Sequence, residues 1–191
     1  VAKPNRVVSA LLDILLSIVR SGRTPERAGT PDRPHARIRR GSTSDAVADP
    51  GRIAGTATVR IEPGSIRDLR IEYSPDRDGA PDAGEIVWTW VPYEENDGRG
   101  KDRPVLVIGR QSADRVYAVR MTSKAHERDR DFLSIGSGSW DSQGRESWVD
   151  IEQLYSVHEK GLRREAAVLD RSRYGSVARA LSGRYGWSAA G

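Results

Sequence analysis

The sequence predicts a mainly β protein of the α+β class, a small barrel with a C-terminal helix, preceded by a partly disordered N-terminal extension. Three observations predict it. From Gly84 onward the apolar residues come in short runs of strand length, separated by polar loops rich in turn residues. Helical spacing reappears only near the end of the chain. No strand-then-helix alternation, G-x-G-x-x-G or P-loop spacing occurs, which disfavours a nucleotide-binding α/β fold.

The first element is the run "VVSALLDILLSIV", residues 7–19, apolar except for Ser9, Asp13 and Ser17. These three fall four apart and form one narrow polar stripe on a helix. Residues 1–20 are therefore read as an apolar helix. Thirteen residues at ~1.5 Å rise cannot cross a bilayer core of ~30 Å, so a transmembrane span is not expected. Packing on a partner or within the chain is the reading adopted. Membrane-surface association and a secretory signal stay open, although no small-x-small cleavage pattern directly follows the run.

Residues 21–52 are rich in Gly, Pro, Ser, Thr and Arg without apolar periodicity, and read as a disordered linker. Residues 53–81 hold two short alternating segments, "TATVRIE" with Ala57, Val59 and Ile61 on one face and "DLRIEY" with Leu69, Ile71 and Tyr73 on one face. They are expected as a hairpin or as edge strands added to the main domain. "SPDRDGAPDAG" then breaks the chain, and that domain, 82–187, is expected beyond it.

Within that domain "EIVWTWV", "PVLVIGR", "RVYAVRMTS" and "SWVDIEQLYSV" read as strands. A long loop precedes the last of them. Leu162, Ala166, Leu169, Val177, Ala178 and Leu181 follow helical spacing, with Asp170 suited to capping a final helix.

Composition excludes several chemistries. With no cysteine among 191 residues there are no disulfides, thiolate nucleophiles or cysteine zinc sites, which fits a cytoplasmic location. His35, His126 and His158 are too widely separated to suggest a histidine metal site, so neither metal nor cofactor is expected. The net charge of +4 lies entirely in the first part of the chain: residues 1–80 carry 14 basic and 10 acidic side chains, residues 81–191 carry 17 of each. The basic balance therefore describes the extension and makes no nucleic-acid claim for the barrel.

Four blocks in the barrel region carry a resemblance. "GEIVWTWVPYEENDGRGKDRPVLVIGR" resembles the opening of MazF/PemK toxins, in which G-D-I-V-x-V is followed by a polar loop and R-P-V/A-V-V-I. "VYAVRMTS" looks like the family's next strand, which ends in Thr or Ser. "VDIEQLYSV" is similar to its L-L-E-Q-I-R-T-L strand, and "LDRSRYGSVARAL" to its C-terminal helix. The blocks cover about residues 82–184, and the arginine-rich wording reads like an actinobacterial branch. The resemblance implies an SH3-like, CcdB/MazF-like barrel, an endoribonuclease acting on single-stranded RNA, a cognate antitoxin protein as partner, and a homodimer. Departures are the loop "DGRGKD", the long connection 124–146, and Tyr155 where the family commonly has Arg.

Metal-free RNA cleavage proceeds by attack of the 2′-hydroxyl on its own phosphate, leaving a 2′,3′-cyclic phosphate. It needs a proton acceptor, a group that stabilises the phosphorane and a proton for the leaving oxygen. Arg103 suits the second task, since a guanidinium offers paired donors at any working pH. Pro104 biases it toward an extended backbone. The alternative is a surface ion pair with Asp102, Glu94 or Glu95.

Thr122 and Ser123 offer hydroxyls for a phosphate oxygen or the 2′-OH, with turn capping as Thr122's alternative role. His126 is a candidate proton carrier or a solvated loop residue. Arg99, Lys101, Arg110 and Lys124 are candidates for RNA contact. Trp140 is the expected stacking platform, whereas Trp88 and Trp90 read as core. The reading from another class is a non-catalytic protein-binding barrel, such as a gyrase-poisoning relative on the same scaffold, or an inactive toxin homologue.

Overall fold

The computed structural model describes residues 50–190 other than 77 and 96. The helix expected over residues 1–20 and nearly all of the 21–52 linker lie outside the described residues. Strands run in the order β1 (Val59–Ile61), β2 (Arg70–Ile71), β3 (Glu85–Pro92), β4 (Gly100–Arg110), β5 (Arg115–Thr122), β6 (Phe132–Gly136), β7 (Ser147–His158) and β8 (Leu162–Val168). The helix α1 (Arg171–Tyr185) and the short strand β9 (Ser188–Ala189) complete the chain.

Seven strands form one antiparallel sheet in the order β1-β7-β5-β4-β3-β8, with β6 also paired to β7. Register shifts interrupt β3–β8, β4–β5, β5–β7 and β6–β7. Each such irregularity adds local twist, and the sheet curls into the expected small β barrel with its single C-terminal helix.

The unbroken aliphatic run of β4 has a direct explanation. Leu106 and Ile108 join the apolar cluster under α1, while Val105 and Val107 join a second cluster with Val87, Val91, Val116, Ala118, Tyr155 and Val157. Successive side chains point to opposite faces, and both faces are covered, so every position is apolar. The same holds for β3, where Ile86 belongs to one cluster and Val87 to the other.

Asp170 caps α1, its carboxylate accepting from the Arg173 amide at 3.0 Å, and Gly186 closes the helix in the left-handed conformation at φ 74°. Tyr174, Val177, Ala178 and Leu181 form its buried stripe. The helical spacing before Asp170 does not become helix. Residues 162–168 pair with β3 as β8, because β3 offers a free edge that a strand satisfies.

Of the two arrangements expected for the extension, the hairpin does not form, and β1 is instead an edge strand of the main sheet. β1 and β2 do not pair with each other: β1 joins β7 antiparallel, with Arg60 opposite Tyr155, and β2 runs parallel to β9. Leu69 and Ile71 are core residues, and Trp187 donates to the Ile66 carbonyl at 2.7 Å, tying the C-terminal segment to the extension. On β1 the expected face is not kept. Val59 is 49% exposed, while neighbouring Thr58 is buried and hydrogen-bonded to Thr89 at 2.8 Å. Pro50–Arg52, the last stretch of the expected linker, forms a 3-10 turn with Arg52 over the Trp90 ring. The described residues form one compact unit, and the described part of 53–81 belongs to it. Among the described residues no helix is long and apolar enough to cross a membrane.

Candidate active site

Arg103 is not at the mouth of β4 but well inside it, opposite Thr89 of β3. It lines two openings. One, of about 320 Å³, is lined by Arg103, Lys101, Met121, Thr122, Ser123, Trp140 and Ser147 among others. The other, of about 350 Å³, is lined by Arg103, Arg99, Arg120, Tyr93, Glu94 and Glu95.

Two of the carboxylates near Arg103 hold other partners. Asp102 pairs with Arg163 at 3.0 Å. Glu94 accepts from Gln153 at 3.0 Å and from Arg120 at 3.5 Å. Among the described residues the Arg103 side chain has no hydrogen bond or salt bridge, and its Nε is buried without a partner. Burial, and then the neighbouring Arg120 charge, lower its pKa below the ordinary arginine value. A buried donor without an acceptor is costly, and a like charge beside it adds to that cost. A bound anion would offset both.

Thr122 ends β5 on the same opening. Its Oγ1 accepts the Lys124 amide at 3.1 Å, so it does cap the turn, and its hydroxyl proton is left to donate. Ser123, exposed, adjoins it, and Lys101 lines the opening from β4. Trp140 is also there, but as a buried wall. It is 6% exposed, its Nε1 donates to Ser147 Oγ at 2.9 Å, and Arg173 lies over its ring. A ring so enclosed does not offer a stacking face, because the core beneath α1 absorbs it. Gly138 permits this packing, since a Cβ there would run into the Trp140 ring.

Other candidates lie apart. His126 stacks on Phe132 at 3.6 Å between ring centroids and sits 3.4 Å from Asp129, lining neither opening. Arg110 donates to Asp82 at 2.9 Å and to the Pro81 carbonyl at 3.2 Å, in a different opening of about 550 Å³ beside residues 65–74. Lys124 is exposed on the turn after Thr122 and lines neither opening. Arg99 belongs to the Glu94 side, paired with Asp97 at 2.6 Å and lying over Tyr93. Trp90 is buried, and Trp88 is half-buried at the edge of the Thr122 opening.

Sequence reasoning missed the network behind Arg103. Arg120 binds Asp150 at 2.6 and 3.1 Å, with the Asp150 side chain only 2% exposed. Asp150 also accepts the amides of Glu152 and Gln153, and Tyr155 donates to Gln153 at 2.6 Å. An arginine and an aspartate interrupting apolar strands were the available signal; their pairing was not readable. Among the described residues no group of three or more His, Asp or Glu could hold a metal ion.

A curled β barrel with one C-terminal helix, with an arginine inside a strand lining two openings, defines the class. Residues 82–183 match the family of PemK-like, MazF-like toxins of type II toxin-antitoxin systems, and the chain belongs to that family. Among solved structures it is similar to a mycobacterial endoribonuclease in complex with its cognate antitoxin, at 15% identity and TM-score 0.45, covering 56% of this chain and 96% of that one. A MazE-MazF structure from Deinococcus radiodurans is similar at 20% identity and TM-score 0.44, covering 56% and 96%. The Mycobacterium tuberculosis toxin MazF-mt6 is similar at 16% and TM-score 0.38, covering 53% and 98%. No curated protein sequence matches the chain.

Proposed function

We propose that this protein is an endoribonuclease toxin that cleaves single-stranded RNA without a metal, through attack of the 2′-hydroxyl on the adjacent phosphate. The observation that carries this reading is the unpaired, partly buried Arg103 shared by two openings, with the Thr122 hydroxyl on one of them. A phosphate on Arg103 receives paired guanidinium donors, and a dianionic phosphorane gains more from them than the monoanionic ground state does. Thr122 and Ser123 donate to the remaining oxygens, and Lys101 adds positive charge along the strand. The family's description supports a cognate antitoxin that neutralises the protein. A homodimer and a cytoplasmic location complete the reading, the first open to sedimentation at micromolar concentration.

Incubating purified protein with a mixed single-stranded RNA pool in chelator tests the reaction. Expected products carry a 2′,3′-cyclic phosphate and a 5′-hydroxyl, and a 2′-deoxy residue at the cut site blocks cleavage. An RNA pool left intact refutes the reading.

A further inference from the structure

We propose that Arg145 is a specificity-determining residue that reads the N7 and O6 edge of a guanine flanking the scissile phosphate. This rests on the endoribonuclease reading and names a base that its substrate carries.

Arg145 lies in the loop between β6 and β7, within the long connection 124–146 that departs from the family pattern. It lines the opening of about 320 Å³ that Arg103 and Thr122 also line, so a base next to a phosphate held on Arg103 enters the cavity that Arg145 borders.

The Arg145 guanidinium is tied through one nitrogen and open at two. Its Nε donates to Asp141 Oδ2 at 2.8 Å, while neither terminal amino group makes a hydrogen bond among the described residues. Asp141 is itself fixed. Its side chain is 10% exposed, and its Oδ1 accepts the Gln143 amide at 2.8 Å. The Arg145 hydrogen bond, and then the Gln143 amide, hold the Asp141 carboxyl below its ordinary value, so this anchor is ionised at neutral pH. The loop that carries both residues is pinned by Arg173 on the Ser137 carbonyl at 2.9 Å and by the buried Trp140 on Ser147. Of the two carboxylates lining the opening, Asp141 holds Nε and Asp102 pairs with Arg163 at 3.0 Å. The outer fork of two amino groups is what remains for a ligand.

Two parallel donors match two adjacent acceptors. Guanine offers N7 and O6 on one edge with no donor among them, and arginine on that edge is the commonest specific base contact in duplex DNA. In single-stranded RNA the same edge is open to side chains. Adenine sets its N6 amine beside N7, which faces donor with donor. Uracil places N3–H between its two oxygens. Cytosine pairs N3 with O2 but carries its N4 amine on the same edge, so guanine fits the fork best. Trp88 and Pro104, both half-buried, give the cavity apolar lining against which the face of a base packs.

The test uses the full chain on a randomised single-stranded RNA pool, with the cut sites mapped by sequencing. Guanine is expected at a fixed position flanking the cut. In an oligonucleotide carrying that site, replacing the guanine by adenine, or by 7-deazaguanine, which lacks N7, is expected to lower kcat/KM about 5–100-fold. Arg145→Ala and Arg145→Lys are expected to cleave the guanine and adenine sequences at nearly equal rates, because alanine has no donors and lysine keeps the charge without the fork. Both variants should melt within a few degrees of wild type, since the Arg145 side chain is 54% exposed. The 7-deazaguanine comparison needs only the wild-type protein. Wild-type cut sites without a guanine preference, a wild type indifferent to 7-deazaguanine, or a guanine preference retained in Arg145→Ala overturns the assignment alone. So does an equal slowing of all sequences by Arg145→Ala that Arg145→Lys rescues, the behaviour of a phosphate contact. A wild-type protein that cleaves no RNA overturns the endoribonuclease reading and this assignment with it.

Discussion

Replacing Arg103 with alanine separates a phosphate ligand from a structural ion pair, because the two roles predict opposite effects on stability. The Arg103 side chain has no hydrogen bond or salt bridge among the described residues, its Nε is buried without an acceptor, and Arg120 stands beside it. Truncation therefore removes no side-chain hydrogen bond or salt bridge from the folded protein. It removes a buried unsatisfied donor and a like-charge contact, against some lost packing of the aliphatic stem. The net change in stability is expected within ~1 kcal/mol of zero, a shift in Tm of at most a few degrees.

Activity should respond very differently. Removing a preorganised donor from a developing oxyanion costs about 3–4 kcal/mol, or about 10²–10³ in rate. Arg103→Lys should recover only part of this, since it keeps the charge and loses the paired donors. Thermal denaturation and cleavage of a fluorescent single-stranded RNA provide the two readouts. Wild-type cleavage with a melting temperature lowered by many degrees would refute the reasoning, since Arg103 would then act as structure.

Thr122→Ala should slow cleavage about tenfold, as expected for one hydroxyl hydrogen bond to a charged oxygen, and less than Arg103→Ala in the same assay. Asp150→Ala should destabilise the barrel by about 3–5 kcal/mol in urea unfolding, because it strands a mostly buried Arg120 and frees two backbone amides. Deleting residues 1–44 should leave one cooperative thermal transition, whereas deleting residues 1–74 should abolish it, since Leu69 and Ile71 belong to the core. Equal behaviour of the two truncations would place the folding boundary elsewhere.

Local pattern carried the barrel's framework. Strand-length apolar runs marked β3, β4, β5 and β7, because a strand's two faces show directly in alternate residues and in runs covered on both sides. Asp170 marked the start of α1, because a cap bonds an amide three residues away. The pattern misled where tertiary pairing overrode it. Leu162–Val168 has helical spacing yet lies against the edge of β3, and Trp140, in a polar loop, folds back into the core.

The sequence by itself determined which residues could do the chemistry and which chemistries were closed. An arginine before a proline and a Thr-Ser pair ending a strand were visible in it, as was the lack of any cysteine. Only the tertiary structure decided which of them meet. It set Thr122, Lys101 and Trp140 around one opening lined by Arg103, with Arg120 and Glu94 around another, and sent His126 and Arg110 elsewhere. The reason is that faces follow from periods of two or four residues within one segment, whereas neighbours follow from the register between segments far apart in sequence. Glu94 and Gln153, 59 positions apart, meet only because β3, β4, β5 and β7 lie side by side with their bulges where they are.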